Sequence, residues 1–533
     1  MSHEERASGY ELIKEKIALD HRIGRETTQV LLEGDLIVPD VKPDMAVVLQ
    51  TDAKVLIDRV DAGSDRVNFV GKMEVQILYL AKGSEKPVHS MGAVTQIDDF
   101  LNMDGVSKEA WVEATADIAN VEYKMMNDRK ISYRAVVDIT VLCEKTIEHE
   151  VVMHIKDVPS DQLLKNNLTL SRRVENKTDR FHVKDDLVIP AGKPAILEIL
   201  QCNAVVANKE VRTQNGRASV SAELVVTTLY RGDNDSNLIE FAEHEVPFNG
   251  SVELGVSKDE MTADITLFIQ DQYVHVRADA DGEDRVIELE VTLGVIAKVH
   301  GQESFDILED AHCINKRLKM TKAPIRYPKA VCRNKNQTPI KEVVQLDEQC
   351  PDILQIFSVK GRARVDDTKI IADKVVVEGI VEAEALYVAE NDQTPLYCYK
   401  TIIPYRQTIE TKGSSPMPDL GMMASVDAGV DHVSFNMLSG REMELRFLLS
   451  FNTQVTREIE TNMITGISFE DMDKAELDST ASMTVYVAQK GDVLWKVAKK
   501  YNTSVDELML INDIEDPHKL IPGQKLLILK RVC

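Results

Sequence analysis

The sequence predicts a mainly β protein: three tandem β-rich repeat domains, sandwich- or barrel-like, joined by short linker helices and closed by a small βααβ unit. Three observations carry that expectation. Runs such as ISYRAVVDITVLC, VIELEVTLGVIAKV and MELRFLLSFNTQV alternate apolar and polar residues with period two, are rich in Val, Ile and Thr, and lie between Gly, Asp and Asn turns. One set of landmarks returns three times at intervals of about 150 residues. The last fifty residues switch to helical spacing.

The chain opens with MSHEERASGYELIKEKIALDHRI, charged and amphipathic, so residues 1–27 are expected to be helical. It lacks the apolar core of a secretory leader, and export is not expected. The first repeat, 28–145, contains LIVPDVKPDMAVVLQTDAKV; the second, 178–302, contains LVIPAGKPAILEILQCNAVV; the third, 335–456, contains EQCPDILQIFSVKGRARV. Each places a proline before an apolar run and a Leu-Tyr pair at the close of the next strand. The interval is 36 residues every time: Pro43 to Tyr79, Pro194 to Tyr230 and Pro351 to Tyr387. Polar turns follow at 82–86, 232–237 and 390–394, and then a long hairpin with an arginine after its turn, at Arg129, Arg285 and Arg441. Such a period exceeds the roughly 20–50 residues of solenoid units, so each copy should be a domain with its own core. The linkers at about 146–177 and 303–334 suit short helices. Residues 457–483 are acidic and polar, as a flexible tether would be, and would let the last unit move independently.

Residues 484–533 parse as strand, helix, helix, strand. Thr484 to Ala488 alternates, Lys490-Gly491 turns the chain, and Asp492 is placed to cap a helix whose Leu494, Val497, Ala498 and Tyr501 share one face. Asn502 ends it. Ser504 and Glu507 then form a capping box for a second helix to about Ile511, Pro522-Gly523 turns the chain again, and Lys525 to Leu529 returns as the partner strand. The apolar stripe is expected in the core, because a unit this small needs every apolar side chain it has. Asp492 suits a helix cap and a ligand contact equally. Trp495 lies beside the stripe, where it suits either partial burial or a platform for sugar or protein.

Lys490-Gly491-Asp492, Leu494-Trp495, Ala498, Tyr501, Val505, Leu508, Asn512, Asp516-Pro517 and Pro522 to Leu526 make this segment resemble a LysM module, a βααβ unit best known for binding N-acetylglucosamine-containing glycans. The resemblance implies a groove between two loops. On this sequence its candidate glycan- or partner-binding residues are Gly491, Asp492, Val493, Leu494 and Trp495 on the first loop, with Asn512, Asp513, Ile514, Leu520 and Ile521 on the second. Val493 stands where the family usually has threonine, which removes a hydroxyl from the groove. Leu529 stands where a proline often follows the last strand.

At 533 residues the chain is too long for one core. Its net charge of −25 disfavours nucleic acid as a partner, since phosphate binding needs a basic surface. That charge is uneven: Lys490 to Arg531 holds eight Lys/Arg and six Asp/Glu, a net of +2, so the remainder carries −27. The C-terminal unit is thus a mildly basic appendage suited to an acidic partner or to the body itself. Seven scattered cysteines without a C-x-x-C pair argue against a disulfide framework and a zinc site and fit a reducing cytoplasm. No transmembrane segment is expected, because no stretch approaches the roughly 20 apolar residues of a membrane span.

No catalytic residue, metal site or cofactor is expected. The chain lacks a Walker loop, a G-x-G-x-x-G after a strand, H-E-x-x-H and G-x-S-x-G. His89 reads as a solvent-facing strand residue. Lys42-Pro43 and Lys193-Pro194 become Cys350-Pro351 in the third copy, so no nucleophile is shared, and proline there sets the turn. The recurrent arginines are expected in internal pairs.

PDVKPDMAVVLQTDAKV with VQILYLA, repeated in tandem before one LysM-like unit, resembles the SipL family of spore-coat morphogenetic proteins of endospore-forming Clostridia, over essentially the whole chain. The resemblance implies a non-enzymatic scaffold of spore-envelope assembly in the mother-cell cytoplasm, at the forespore surface. Its implied partners are the coat-basement ATPase called stage IV sporulation protein A and other spore coat proteins, with peptidoglycan a further candidate. The competing expectation is a peptidoglycan-binding cell-wall adaptor.

Overall fold

The computed structural model describes residues 3–7, 10–83, 88–233, 239–255, 261–314, 316–390, 395–411, 421–472 and 482–529. The first repeat comprises β1 (His3–Ala7), β2 (Tyr10–Ile37), β3 (Met45–Ala62), β4 (Arg66–Ala81), β5 (Val88–Asn102), β6 (Trp111–Asn127) and β7 (Lys130–Ile155). A 3-10 turn at Ser160–Gln162 leads to the second: β8 (Leu163–Val188), β9 (Ile196–Gln214), β10 (Arg217–Gly232), β11 (Ile239–Glu253), β12 (Thr262–Ala278) and β13 (Asp284–Ala311). The third comprises β14 (Lys316–Gln345), β15 (Ile353–Ile371), β16 (Lys374–Ala389), β17 (Leu396–Glu410), β18 (Met422–Ser439) and β19 (Glu442–Asp471).

Each repeat is a sandwich of two antiparallel sheets. One sheet is β3-β4-β5, repeated as β9-β10-β11 and β15-β16-β17; the other is β2-β7-β6, repeated as β8-β13-β12 and β14-β19-β18, with β1 added at the edge of β2. Period-two alternation explains the packing, since every second side chain of each sheet turns into a shared core. In the first domain that core joins Leu32, Leu36, Ile131 and Val137 to Phe69, Met73, Ile77 and Tyr79. The second and third domains have their own equivalents around Tyr230 and Tyr387.

The constant 36-residue interval is a hydrogen bond. Tyr79, Tyr230 and Tyr387, all fully buried, donate their hydroxyls to the carbonyls of Pro43, Pro194 and Pro351 at 3.1, 3.2 and 2.9 Å. Burial pushes the Tyr79 and Tyr230 phenols up to about 12, so they remain donors throughout the neutral range. Tyr387→Phe should lower stability by about 1 kcal/mol in urea unfolding, the net worth of one such bond. The arginines brace the same turn, as expected of an internal role. Arg129 bonds Asp44 and the Val38 carbonyl, Arg285 the Lys193 carbonyl, and Arg441 Asp352 with the carbonyls of Cys350 and Asp347.

The segments between repeats depart from expectation. Residues 10–27, expected to be helical, are strand β2, and the linkers at 146–177 and 303–334 run as the ends of β7, β8, β13 and β14, interrupted by the 3-10 turn and a short connection near Cys313. The first and last strands of each repeat outrun the sandwich as two-stranded ribbons, paired out to Leu12↔Ile155, Leu163↔Ala311 and Lys316↔Asp471. The tether expected at 457–483 is also ribbon through Asp471, with Met463 and Ile464 fully buried; residues 473–481 lie outside the described residues. The repeat bounds 28–145, 178–302 and 335–456 therefore cut through continuous strands. Three ribbons pack on one another through Leu12, Val152, Ile155, Leu308 and Ile467, and further along through Ile17, Val151, Leu170, Ile307, Ile325 and Met463. An amphipathic segment reads alike as helix or strand over a few turns, and pairing over 25 residues decides for strand.

A second shared core joins the three sandwiches. Alternation sends each repeat's tyrosine inward and its preceding leucine outward, so Leu78, Leu229 and Leu386 meet with Leu49, Leu200 and Phe357 at the centre of the molecule. The surrounding seams are polar. Asp52 of the first domain receives Gln201 of the second at 3.2 Å and Lys360 of the third at 2.5 Å.

His89, expected to face solvent, is buried in the seam between the first two domains. Its Nδ1 lies 2.9 Å from the Glu198 carboxylate, which also takes Lys42 at 2.8 Å and Arg231 at 3.1 Å. Arg231 points at His89 Nε2 at 3.3 Å, which leaves the imidazole proton on Nδ1, toward Glu198. Burial works to raise the Glu198 pKa, but His89 and Lys42 outweigh it and bring the carboxyl from 4.5 down to about 2. A depressed carboxylate contributes its stability above the unfolded value and loses it as pH falls through the folded one. Domain-seam stability should therefore fall between about pH 4.5 and pH 2, and Glu198→Gln should flatten that dependence in hydrogen exchange of β9.

Candidate functional site

The C-terminal unit consists of β20 (Met483–Val487), α1 (Leu494–Lys500), α2 (Val505–Ile511) and β21 (Lys525–Leu529), the two strands pairing antiparallel. Its core holds Leu494, Trp495, Val497, Ala498, Leu508, Leu526 and Ile528. Ser504 caps α2 as the capping box requires, accepting from the Glu507 N–H at 3.1 Å, and Asn502 leaves α1 at φ 55°. Asp492 does not cap α1, whose N-cap is Val493 with no side-chain bond. Its carboxylate accepts the Tyr486 hydroxyl at 2.6 Å and the Gln489 N–H at 2.8 Å, bonds that hold it below the usual carboxylate range. It locks the first loop instead.

The unit is seated on the body, against the expectation of an independent module. Lys499 pairs with Asp310 at 2.6 Å, the Asn502 amide donates to the Ile314 carbonyl at 2.6 Å, and the Val505 N–H donates to Asp161 at 3.1 Å. His312 Nε2 lies 2.9 Å from the Thr503 carbonyl, which only a protonated nitrogen can use, and its ring meets Trp495 edge-on at 5.3 Å. Burial pushes the His312 pKa down. Leu164 of β8 completes the unit's apolar core. The body's contribution comes from the ribbon tips, the 3-10 turn and the connection before β14, where no motif marked it. The one sequence signal was charge, a basic end on an acidic body.

The ten candidate groove residues separate accordingly. Leu494 and Trp495 are buried, 1% and 8% exposed, so Trp495 is no open platform; the helix face that carries it toward the core also carries it against His312. Asn512 is occupied in joining α2 to β21, bonding the Leu508 carbonyl and both the N–H and the carbonyl of Leu527. Asp492 is occupied in its loop. Gly491, Val493, Asp513 and Ile521 remain exposed, with Ile514 and Leu520 half-buried. Gly491 holds φ 94°, a left-handed conformation that suits glycine.

A shallow depression opens on this unit, lined by Asp506, Met509, Leu510, Asp513, Ile514 and Glu515. Among the described residues no group of three His, Cys, Asp or Glu side chains could hold a metal, and no helix is long and apolar enough to cross a membrane.

The family model of the SipL SPOCS domain matches residues 35–126, 195–277 and 352–438, and that of the LysM domain matches 486–529. The chain belongs to the SipL SPOCS-domain family. The first SPOCS match runs from the end of β2 to β6, the second from β9 to β12 and the third from β15 to β18, which leaves the ribbons outside. Over 45 residues the chain is 40% identical to SpoIVD-associated factor A of Bacillus subtilis (strain 168), covering 8% of this chain and 12% of that protein. Over 45 residues it is 42% identical to spore coat assembly protein ExsA of Bacillus cereus, covering 8% and 7%. The chain thus matches about a tenth of the length of these curated relatives. No solved structure matches.

Proposed function

We propose that this SPOCS–LysM protein is a non-enzymatic scaffold of spore-envelope assembly, acting in the mother cell at the forespore surface. It binds the coat-basement ATPase, stage IV sporulation protein A, with the LysM domain as a docking end. The observation that carries this reading is the joining of three SPOCS domains and a LysM domain in one chain, beside relatives named SpoIVD-associated factor A and spore coat assembly protein ExsA. The non-enzymatic part is supported by where the recurrent polar residues go: the tyrosines and arginines common to all three domains are consumed in internal hydrogen bonds. The test is a pull-down of the full chain against the purified ATPase and against peptidoglycan. Retention by the ATPase supports the scaffold; retention by peptidoglycan alone overturns it.

The LysM match favours one second reading, a cell-wall adaptor that holds N-acetylglucosamine-containing glycan. Localisation separates the two. A fluorescent fusion forming a shell around the forespore belongs to the scaffold, and one decorating vegetative walls belongs to the adaptor.

A further inference from the structure

The LysM domain has a second face that neither its seat on the body nor its loop-locking residues use. Leu510 is the most exposed large apolar side chain of the domain, at 81%, and it stands with half-buried Met509 and Ile514 in the depression at the end of α2. Three carboxylates, Asp506, Asp513 and Glu515, share the lining with these apolar side chains. None of the three has an ion-pair partner among the described residues, whereas Asp516 nearby is paired with Lys519 and Asp310 with Lys499. The local charge opposes that of the domain, which is net basic.

The surface is also held in shape. Asn512 ties the end of α2 to β21 through three hydrogen bonds, and the Ile514 N–H donates to the Met509 carbonyl at 3.0 Å, fixing the chain across the depression. A pre-ordered surface loses little freedom on binding. The ring, charged and hydrogen-bonding groups that seat the domain on the body, Trp495, Lys499, Asn502, Thr503 and the Val505 N–H, lie outside this lining. The face therefore stays open while the domain is docked.

We infer that this depression is a protein-docking surface whose occupant is a partner segment carrying an apolar anchor side chain flanked by lysine or arginine. Charge complementarity selects that occupant. A neutral glycan can donate hydroxyls to these carboxylates but leaves their clustered charge uncompensated, whereas flanking cations relieve the mutual repulsion and steer association. Exposed ion pairs contribute little by themselves, so affinity rests on the anchor against Leu510 and Met509, and the carboxylates supply selectivity and rate. The inference rests on the protein-docking reading of the LysM domain proposed above.

The test uses the full chain and a fluorescent peptide, Lys-Lys-Leu-Leu-Lys-Lys, with its glutamate-flanked analogue as control, read by anisotropy at 50 and 300 mM salt. Wild type should bind the basic peptide at least tenfold more tightly than the acidic one. Leu510→Ser should weaken that binding about tenfold at both salts, and Asp506→Asn with Asp513→Asn should flatten the salt dependence. Both changes are on exposed side chains and should leave the melting temperature unmoved. Peptide binding that neither variant alters would place it elsewhere on the acidic body and overturn the inference. Chitooligosaccharide binding lost in Leu510→Ser would also overturn it, in favour of glycan. A parallel pull-down with the coat ATPase keeps the two proposals apart: failure of wild type to retain the ATPase refutes that partner, while the peptide arm alone decides the surface.

Discussion

Leu229→Asp is expected to splay the three SPOCS domains apart while each stays folded. Leu229 is 4% exposed and meets Leu78, Leu200, Phe357 and Leu386 in the central core, a contact that belongs to no single domain. Truncating such a leucine to alanine costs about 2–5 kcal/mol. Aspartate adds the desolvation of a carboxyl group with no partner provided, so its effect exceeds that of alanine. The domain cores around Tyr79, Tyr230 and Tyr387 are untouched, and the ribbon cores still hold the three domains together at their bases. Far-ultraviolet circular dichroism should therefore keep its β signal while small-angle scattering reports a larger radius of gyration. An unchanged radius would show that the ribbons alone set the arrangement. Loss of the β signal would show that the sandwiches do not stand without their neighbours.

The second large effect separates two explanations that a binding assay alone would confuse. Trp495→Ala removes a side chain packed with Leu494, Val497 and Leu508 inside the LysM domain and, through His312, against the body. A buried tryptophan truncated to alanine costs about 3–5 kcal/mol, which a domain this small cannot absorb. The domain is expected to unfold, so lost partner binding in that variant reports lost folding. His312→Ala should instead loosen the seat and leave the domain folded, since His312 belongs to the body and contributes only the contact with Thr503 and Trp495, while the Asp310, Ile314 and Asp161 contacts remain. The chain has two tryptophans, so in a Trp111→Phe background Trp495 fluorescence distinguishes the cases. A modest red shift with cooperative melting retained is expected for His312→Ala, and full exposure without a transition for Trp495→Ala. Equal spectra for the His312 variant and its parent would mean that the seat on the body does not depend on this contact.

The residues most legible in the sequence were those whose role is local or strictly repeated. The 36-residue spacing from Pro43 to Tyr79 and its two counterparts marked the three copies, and the structure adds that the two ends of that interval are hydrogen-bonded in each of them. The Ser504 cap was legible because a capping box is complete within four residues. His89 was misread because its partner, Glu198, lies 109 residues away in another domain, and the equivalent place holds Val47 in the first repeat and Gln355 in the third. Trp495 was ambiguous for a related reason: helical spacing placed it beside the stripe, and its burial is completed by His312, 183 residues earlier.

The amino-acid sequence by itself determined the strand alternation, the three copies, the LysM domain and the absence of familiar catalytic motifs, all of which are encoded within windows of a few tens of residues. Only the tertiary structure decided that the stretches between copies are ribbons, that the outward leucines of three domains make one core, and that the LysM domain is seated on the ribbon tips. The physical reason is that β pairing and apolar burial are satisfied between segments far apart in the chain, so an amphipathic stretch such as Tyr10 to Arg25 carries no local mark of whether it will close a helix on itself or find the strand at Leu142 to Ile155.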